Sequence, residues 1–568
     1  MIFLEGESFP LTIGQSSIWI AQALDRESPA YSMADFAEIH GEMESDALER
    51  AVLRTVEDSA SLRLAFVESE DGPRQFFAPT GPWNLAFADF SATLDPEGAA
   101  RAWMRDDLAT PLDIHGGRLF RFALLRLSAE KHWFYSVNHH LINDAIGGRL
   151  ISRRIAEVYR DLIAGNAPKA AELGSIHDIL AREKAYQHSP RFARDREYCL
   201  SETAARPSAA LAVNAVETSN AVEHADLPLD PDLHLEAFAK KLGVNAAAVF
   251  VAAVAAYLHR QTGATDLLIG FQTSARLGPA MRNAVGPTTN TTPLRLAFAP
   301  TDSFAELVAS VARKMREALR HQQYRIEDLK RDLGLSPGDS NVFNAVVNFF
   351  PSDEPFSFTD QPCRRYLLGN WRVDDIIFAS YDGGREDARR VHVVGNAAKY
   401  SGSAVRMHGE RFRNLLSAGV RAPETACNAL DRMTPLERRQ VLFDFGGASG
   451  DEPHEAFVHR LFERQARTPL FARLKRIPEL ERVSRTRDAH FAVRTQHRNT
   501  PDILERNEQG SRLDFLGTEE RGAALDLEFW KGLESFEKLG VRPRVHLGIG
   551  RAQRLGRGNR RRYGRGYW

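Results

Sequence analysis

The chain has 568 residues, a net charge of -1, 43% hydrophobic residues and 26% charged residues, which is room for about three to five structural units and ample core material. The balanced charge provides no overall field for nucleic acid or an anionic membrane surface. Its three cysteines, Cys199, Cys363 and Cys427, are far apart and form no CxxC pair, which argues against a disulfide framework or a structural zinc site and fits a reducing cytoplasm.

The opening MIFLEGESFPLT has neither a basic n-region nor an apolar h-region, so no signal peptide is expected. Trp133-Phe-Tyr-Ser-Val137 is apolar and aromatic, a composition that suits a strand. One residue later comes His139-His140-Leu141-Ile142-Asn143-Asp144-Ala145-Ile146-Gly147-Gly148. If the chain stays extended into this segment, successive side chains point to opposite faces. Only one of the two histidines can then face a given cavity, and Asp144, after a short turn, can brace the local structure. An imidazole there suits acid–base chemistry, because its ordinary pKa lies near neutrality, and a backbone N–H of the following turn is a candidate donor to an oxyanion. The same residues also read as two structural histidines at a strand end beside a turn aspartate. No third or fourth ligand at helical or hairpin spacing makes them a metal site.

Residues 204–225 are rich in Ala, Ser and Asn and suggest a boundary near residue 210. Ala246 to Leu258 is the longest apolar run; it is shorter than the roughly 20 residues of a bilayer span and reads as a buried helix ending near Gly263. Ser303 and Glu306 form a capping box for a helix reaching Gln322, with Phe304, Leu307, Val308, Val311, Met315 and Leu319 on one face. Pro337-Gly338-Asp339 marks a turn before the apolar run Val342 to Phe350. Residues 433–469 read as a linker. Residues 470–568 differ again, with 22 Lys and Arg, 19 of them Arg, against 13 Asp and Glu. Phe445-Gly-Gly-Ala-Ser449 and Gly548-Ile-Gly550 are short matches to a carrier attachment site and a dinucleotide loop, but neither has the surrounding pattern those sites need.

The segment His139 to Ala145 resembles the HHxxxDG signature of condensation domains of nonribosomal peptide synthetases, shared with chloramphenicol-acetyltransferase-like enzymes. Other segments support the resemblance in order: Leu11 to Trp19 with Gln15, Ser61-Leu62-Arg63 to Phe66, Val285-Gly286-Pro287 through Asn290 to Leu294, His321-Gln322-Gln323-Tyr324, and Phe343-Asn344 to Phe349. The resemblance covers about residues 8–440. It implies a mixed α/β fold of two chloramphenicol-acetyltransferase-like lobes in a V, at 8–210 and 211–432, with a tunnel between them. It implies that His140 meets the acceptor nucleophile, that His139 supports it, and that Asp144 is held by an arginine, for which Arg63 is the candidate. Ala145, Gly148 and Asn290 are expected to support the site. No cofactor or metal is implied; donor and acceptor arrive on the phosphopantetheine of carrier proteins, alongside other synthetase subunits, with no role for nucleic acid or membrane.

Two departures matter. Ala145 replaces the Gly of the signature, which would strain a turn needing positive φ. Asp58-Ser59-Ala60 replaces the start of the second motif, as in domains that open an assembly line with an acyl or aryl starter, including siderophore synthetases. Phe457 to Pro469 resembles the entry to an adenylation domain, whose phosphate loop is not found after residue 470. The Arg-rich tail is expected to be a truncated or out-of-frame remnant, a basic tail, or an extra domain. A free-standing acyltransferase of this fold and a carrier-binding remnant without activity are the alternative functions.

Overall fold

The computed structural model describes residues 8–444, apart from 116–117, 172, 206, 208–209, 213–218, 220, 336–341, 344, 352–355, 369–372 and 383–388. The expected turn at 337–339, Asn344, Phe445 to Ser449, the linker beyond 444 and the Arg-rich tail lie outside the described residues.

Helix α1 (Ile13–Leu24) opens on a capping box between Thr12 and Gln15. Strand β1 (Ser32–His40) pairs antiparallel with β2 (Lys131–His139), Ser32 opposite His139. The predicted strand at 133–137 is thus longer at both ends. These strands belong to a five-stranded sheet whose other members are 120–128, 86–89 and, on the opposite edge, β5 (Arg364–Leu367). That edge strand comes from the second half of the chain, and its Tyr366 stacks on Phe36 with ring centroids 4.9 Å apart. Trp133, Phe134, Tyr135 and Val137 are all buried, so both faces of β2 are covered; each such side chain contributes on the order of 2 kcal/mol by leaving water.

Helix α2 (Ala145–Ile163) follows directly. Ile151, Ile155, Val158 and Tyr159 are buried, a 3.6-residue spacing that lays one face on the first core. In the second half, α3 (Ala246–Thr262) runs through a separate core and ends at Gly263 in the left-handed conformation, φ +76. Helix α4 (Phe304–Arg320) shows the expected capping box of Ser303 and Glu306 and buries Phe304, Leu307, Val308, Val311 and Met315. Both helices cover a six-stranded sheet ordered 290–297, 266–273, 345–349, 376–382, 389–396, 222–228. Its strands β3 (Asp266–Thr273) and β4 (Asn290–Ala297) pair antiparallel, and the connection between them reaches the histidine segment. A short helix α5 (Ile326–Asp332) follows α4.

Among the described residues, no single helix is long and apolar enough to cross a membrane. Cys199, Cys363 and Cys427 are buried free thiols; burial pushes them up to about 12, 11 and 11, which leaves them without thiolate reactivity.

Candidate active site

The site is built where β2 hands over to α2. His139 is the last residue of the strand and is buried. Its Nδ1 accepts the Leu141 N–H at 3.1 Å, so Nε2 carries the proton and donates to Gln22 Oε1 at 3.2 Å. Gln22, from α1, is itself fixed by donating to the Asp25 and Ser28 carbonyls. Burial lowers the His139 pKa to about 3, with His140 adding to the shift. This ring is neutral, fully partnered and closed to substrate.

His140 behaves differently. Its N–H extends the ladder by one step, donating to Tyr31 O at 2.8 Å. His139 is fully buried, whereas His140 is partly exposed as a residue while its ring Nδ1 is enclosed. Burial lowers the His140 pKa, opposed by the Asp144 carboxylate and by the backbone of His140 and Asn143, while Arg325 pushes it further down. The ring is held in its neutral, basic form near pH 7.

Asp144 is the N-cap of α2, accepting the Gly147 N–H at 3.0 Å. The resemblance points to Arg63 as its partner; the structure assigns that place to Arg276. Arg276 Nη1 and Nη2 meet Asp144 Oδ2 and Oδ1 at 2.8 Å each, a bidentate pair with side chains 4% and 1% exposed. Arg63 instead lies over the Phe77 ring, 5.9 Å from its centroid. The Thr288 and Thr289 N–H and hydroxyl groups also donate to Asp144 Oδ2, at 3.0–3.1 Å. Despite burial, Arg276 and these donors hold the Asp144 carboxyl well below the usual carboxylate range. Ala275, just before Arg276, is one of three described non-glycine residues with positive φ, at +49; this left-handed step costs roughly 1 kcal/mol and belongs to the turn that carries the arginine.

The expectation of strain at Ala145 is corrected. Ala145 is the first residue of α2 and is not among the positive-φ residues, so the missing glycine causes no strain and alanine suits the position. Gly148 has room for a side chain, with neighbours at 3.6 and 3.7 Å; Gly147 does not, because a Cβ would lie 2.0 Å from Asn143 Oδ1. The turn is also poor in oxyanion donors. The N–H groups of Leu141, Ile142, Asp144, Gly147 and Gly148 are all engaged.

The other motif segments meet this turn. Gln15 donates to Leu141 O at 2.8 Å and pairs with Gln75. Ser61 Oγ donates to Val285 O. Asn290 is buried; its Nδ2 donates to Gln322 O and Tyr324 O, and its Oδ1 accepts the Ile326 N–H. It ties β4 to the His321–Tyr324 segment. Gln22, Arg276, Thr288, Thr289 and Arg325 were not singled out by the sequence. Thr288 and Thr289 lie inside the 285–294 segment, which is a local signal; Arg276 lies 132 positions from Asp144 with none. Asp58, in the altered second motif, pairs with Arg154 of α2 at 2.6 Å, so it braces the helix that Asp144 caps.

Comparison with known proteins agrees. The condensation domain family matches residues 6–442. The isonitrile lipopeptide synthase of Streptomyces coeruleorubidus is 34% identical over 425 residues, 74% of this chain and 29% of that protein. Enterobactin synthase component F of Escherichia coli (strain K12) is 27% identical over 469 residues, 82% of this chain and 36% of that protein. The chain spans about a third or less of the length of such curated relatives. Among solved structures, the first condensation domain of the calcium-dependent antibiotic synthetase, in complex with a substrate analogue, is similar at a TM-score of 0.71 and 31% identity, covering 76% of this chain and 100% of that one. With mixed sheets and a family match across more than three quarters of its length, the chain belongs to the condensation domains of nonribosomal peptide synthetases, which form amide bonds.

Proposed function

We propose that this chain joins a carrier-bound acyl, aryl or aminoacyl donor to a carrier-bound amino acid, forming an amide or, with a hydroxyl acceptor, an ester. Two lobes, divided near residue 210, would leave a passage reaching His140 from both sides, and each carrier would deliver its substrate on a phosphopantetheine arm. The observation that supports this reading is the asymmetry of the histidine pair: His139 is buried with both ring nitrogens engaged, while His140 is neutral and only half-buried.

In the proposed reaction the acceptor amine attacks the donor thioester carbonyl. Neutral His140 takes or orients the amine proton as the C–N bond forms. The C–S bond then breaks, the donor arm leaves as a thiol carrying that proton, and the lengthened chain remains on the acceptor carrier. Asp144, clamped by Arg276, fixes the turn that aims the imidazole. His139 supports the backbone and takes no proton. No metal or resident cofactor has a part in this scheme. Relatives named for lipopeptide and enterobactin synthesis support an acyl or aryl donor and a siderophore-like or lipopeptide product.

The test is a reconstituted assay with the full chain, an acyl-loaded donor carrier and an aminoacyl-loaded acceptor carrier. The acceptor is followed by intact mass. A mass gain equal to the acyl group, dependent on both carriers, is expected. Equal product from a free amine or alcohol without the acceptor carrier would instead identify a free-standing acyltransferase, and carrier binding without turnover a non-catalytic scaffold.

A further inference from the structure

Arg325 lies just before α5 and is 7% exposed. Its Nη1 donates to the carbonyl oxygens of both Thr288 and Thr289, at 3.1 Å each. These are the two residues whose N–H and hydroxyl groups hold Asp144 Oδ2. The pair is therefore stretched between a cation on its carbonyl side and a carboxylate on its donor side, an arrangement in which each hydrogen bond polarises the next. We propose that Arg325 is a positioning residue for the reaction at His140, gripping from behind the threonine pair that clamps Asp144. This rests on the reading of His140 given above.

The surroundings fix Arg325 in that task. Glu327 accepts from its Nε and Nη2 at 3.1 and 3.3 Å. Asn290 anchors the backbone on both sides of it, through Tyr324 O and the Ile326 N–H. Space for the guanidinium depends on Gly14 of α1: a Cβ there would lie 2.4 Å from Arg325 Nη2. The grip thus draws together three segments, those opening α1, joining β3 to β4 and opening α5.

Arg325 also acts on His140 through its charge. The charged and titratable groups around that ring are His139 at the end of β2, Asp144 at the start of α2 with its partner Arg276, and Arg325, which is itself faced by Glu327 and by Glu183 of the helix Ile176–Gln187. Asp144 favours the protonated imidazole and Arg325 opposes it. Removing the Arg325 charge leaves the Asp144 attraction less opposed and makes His140 easier to protonate.

The test separates grip from charge and needs no turnover for its first reading. The full chain is treated with diethyl pyrocarbonate across a pH series, and carbethoxylation of His140 is followed by peptide mass spectrometry. Arg325→Gln is expected to move the midpoint of His140 reactivity to higher pH, whereas Arg325→Lys keeps it close to the original. In the two-carrier assay Arg325→Lys is expected to lose about 100-fold in kcat with KM little changed, because a point charge cannot hold two carbonyls as the fork does. Gly14→Ala, a helix-favouring change that displaces the fork and keeps the charge, is the second variant and should also lower kcat while its melting curve stays cooperative. An unchanged midpoint in Arg325→Gln, or undiminished kcat in Arg325→Lys and Gly14→Ala, overturns the proposal. An active His140→Ala variant would remove the functional reading instead, and the modification midpoints would still report on Arg325.

Discussion

At the scale of single residues, the histidine pair shows how one position in a strand separates two otherwise identical groups. His139 gives up both ring nitrogens to Leu141 and Gln22, and its pKa falls to about 3. The unfolded chain binds that proton at about 6.5, so folding stability should decline as pH falls from about 6.5 towards the folded value. A His139→Gln variant should show a shallower pH dependence of denaturation midpoint over that range, and an unaltered slope would contradict the assignment. Asp144 has the same sign. Its carboxyl is depressed below an unfolded value of about 3.9, so its contribution is complete above that value and is lost as pH falls through the acid range. Asp144→Asn leaves Arg276 buried at 4% exposure without its carboxylate, and should cost about 3 kcal/mol or more in chemical denaturation near neutral pH. A loss below 1 kcal/mol would show that the pair does not brace the fold.

The elements that carry these residues were largely legible. Capping boxes and apolar spacing mark α4, an uninterrupted apolar run marks α3, and aromatic content marks β2, because these signals are local. The strand and the short turn around the histidines were legible too, but that Asp144 caps a helix, α2, was not. What was not legible is pairing over distance. Arg63 is a reasonable arginine in sequence, yet the guanidinium that reaches Asp144 comes from the β3–β4 connection, through a turn containing a left-handed alanine. Nor does composition reveal that β5 crosses to the edge of the first sheet, where Arg365 pairs with Asp35 at 2.5 Å. The tight glycine is likewise a matter of packing. Gly147→Ala should destabilise the α2 start by forcing Asn143 aside, whereas Gly148→Ala should be tolerated or slightly stabilising through helix propensity. Thermal melts of the two variants check this, and equal behaviour would contradict the packing at residue 147.

Across the whole molecule, the site depends on both halves of the chain. Asp144, on an element of the first half, is bound by Arg276, Thr288 and Thr289 of the second, so a relative shift of the halves would loosen the turn behind His140. The role of His140 is tested most directly by the single-turnover rate of acyl transfer between two loaded carriers, for the full chain and for His140→Ala, with the acceptor followed by intact mass. A fall of about 100-fold or more with an unchanged melting temperature is expected. A variant that turns over at the original rate would contradict that role.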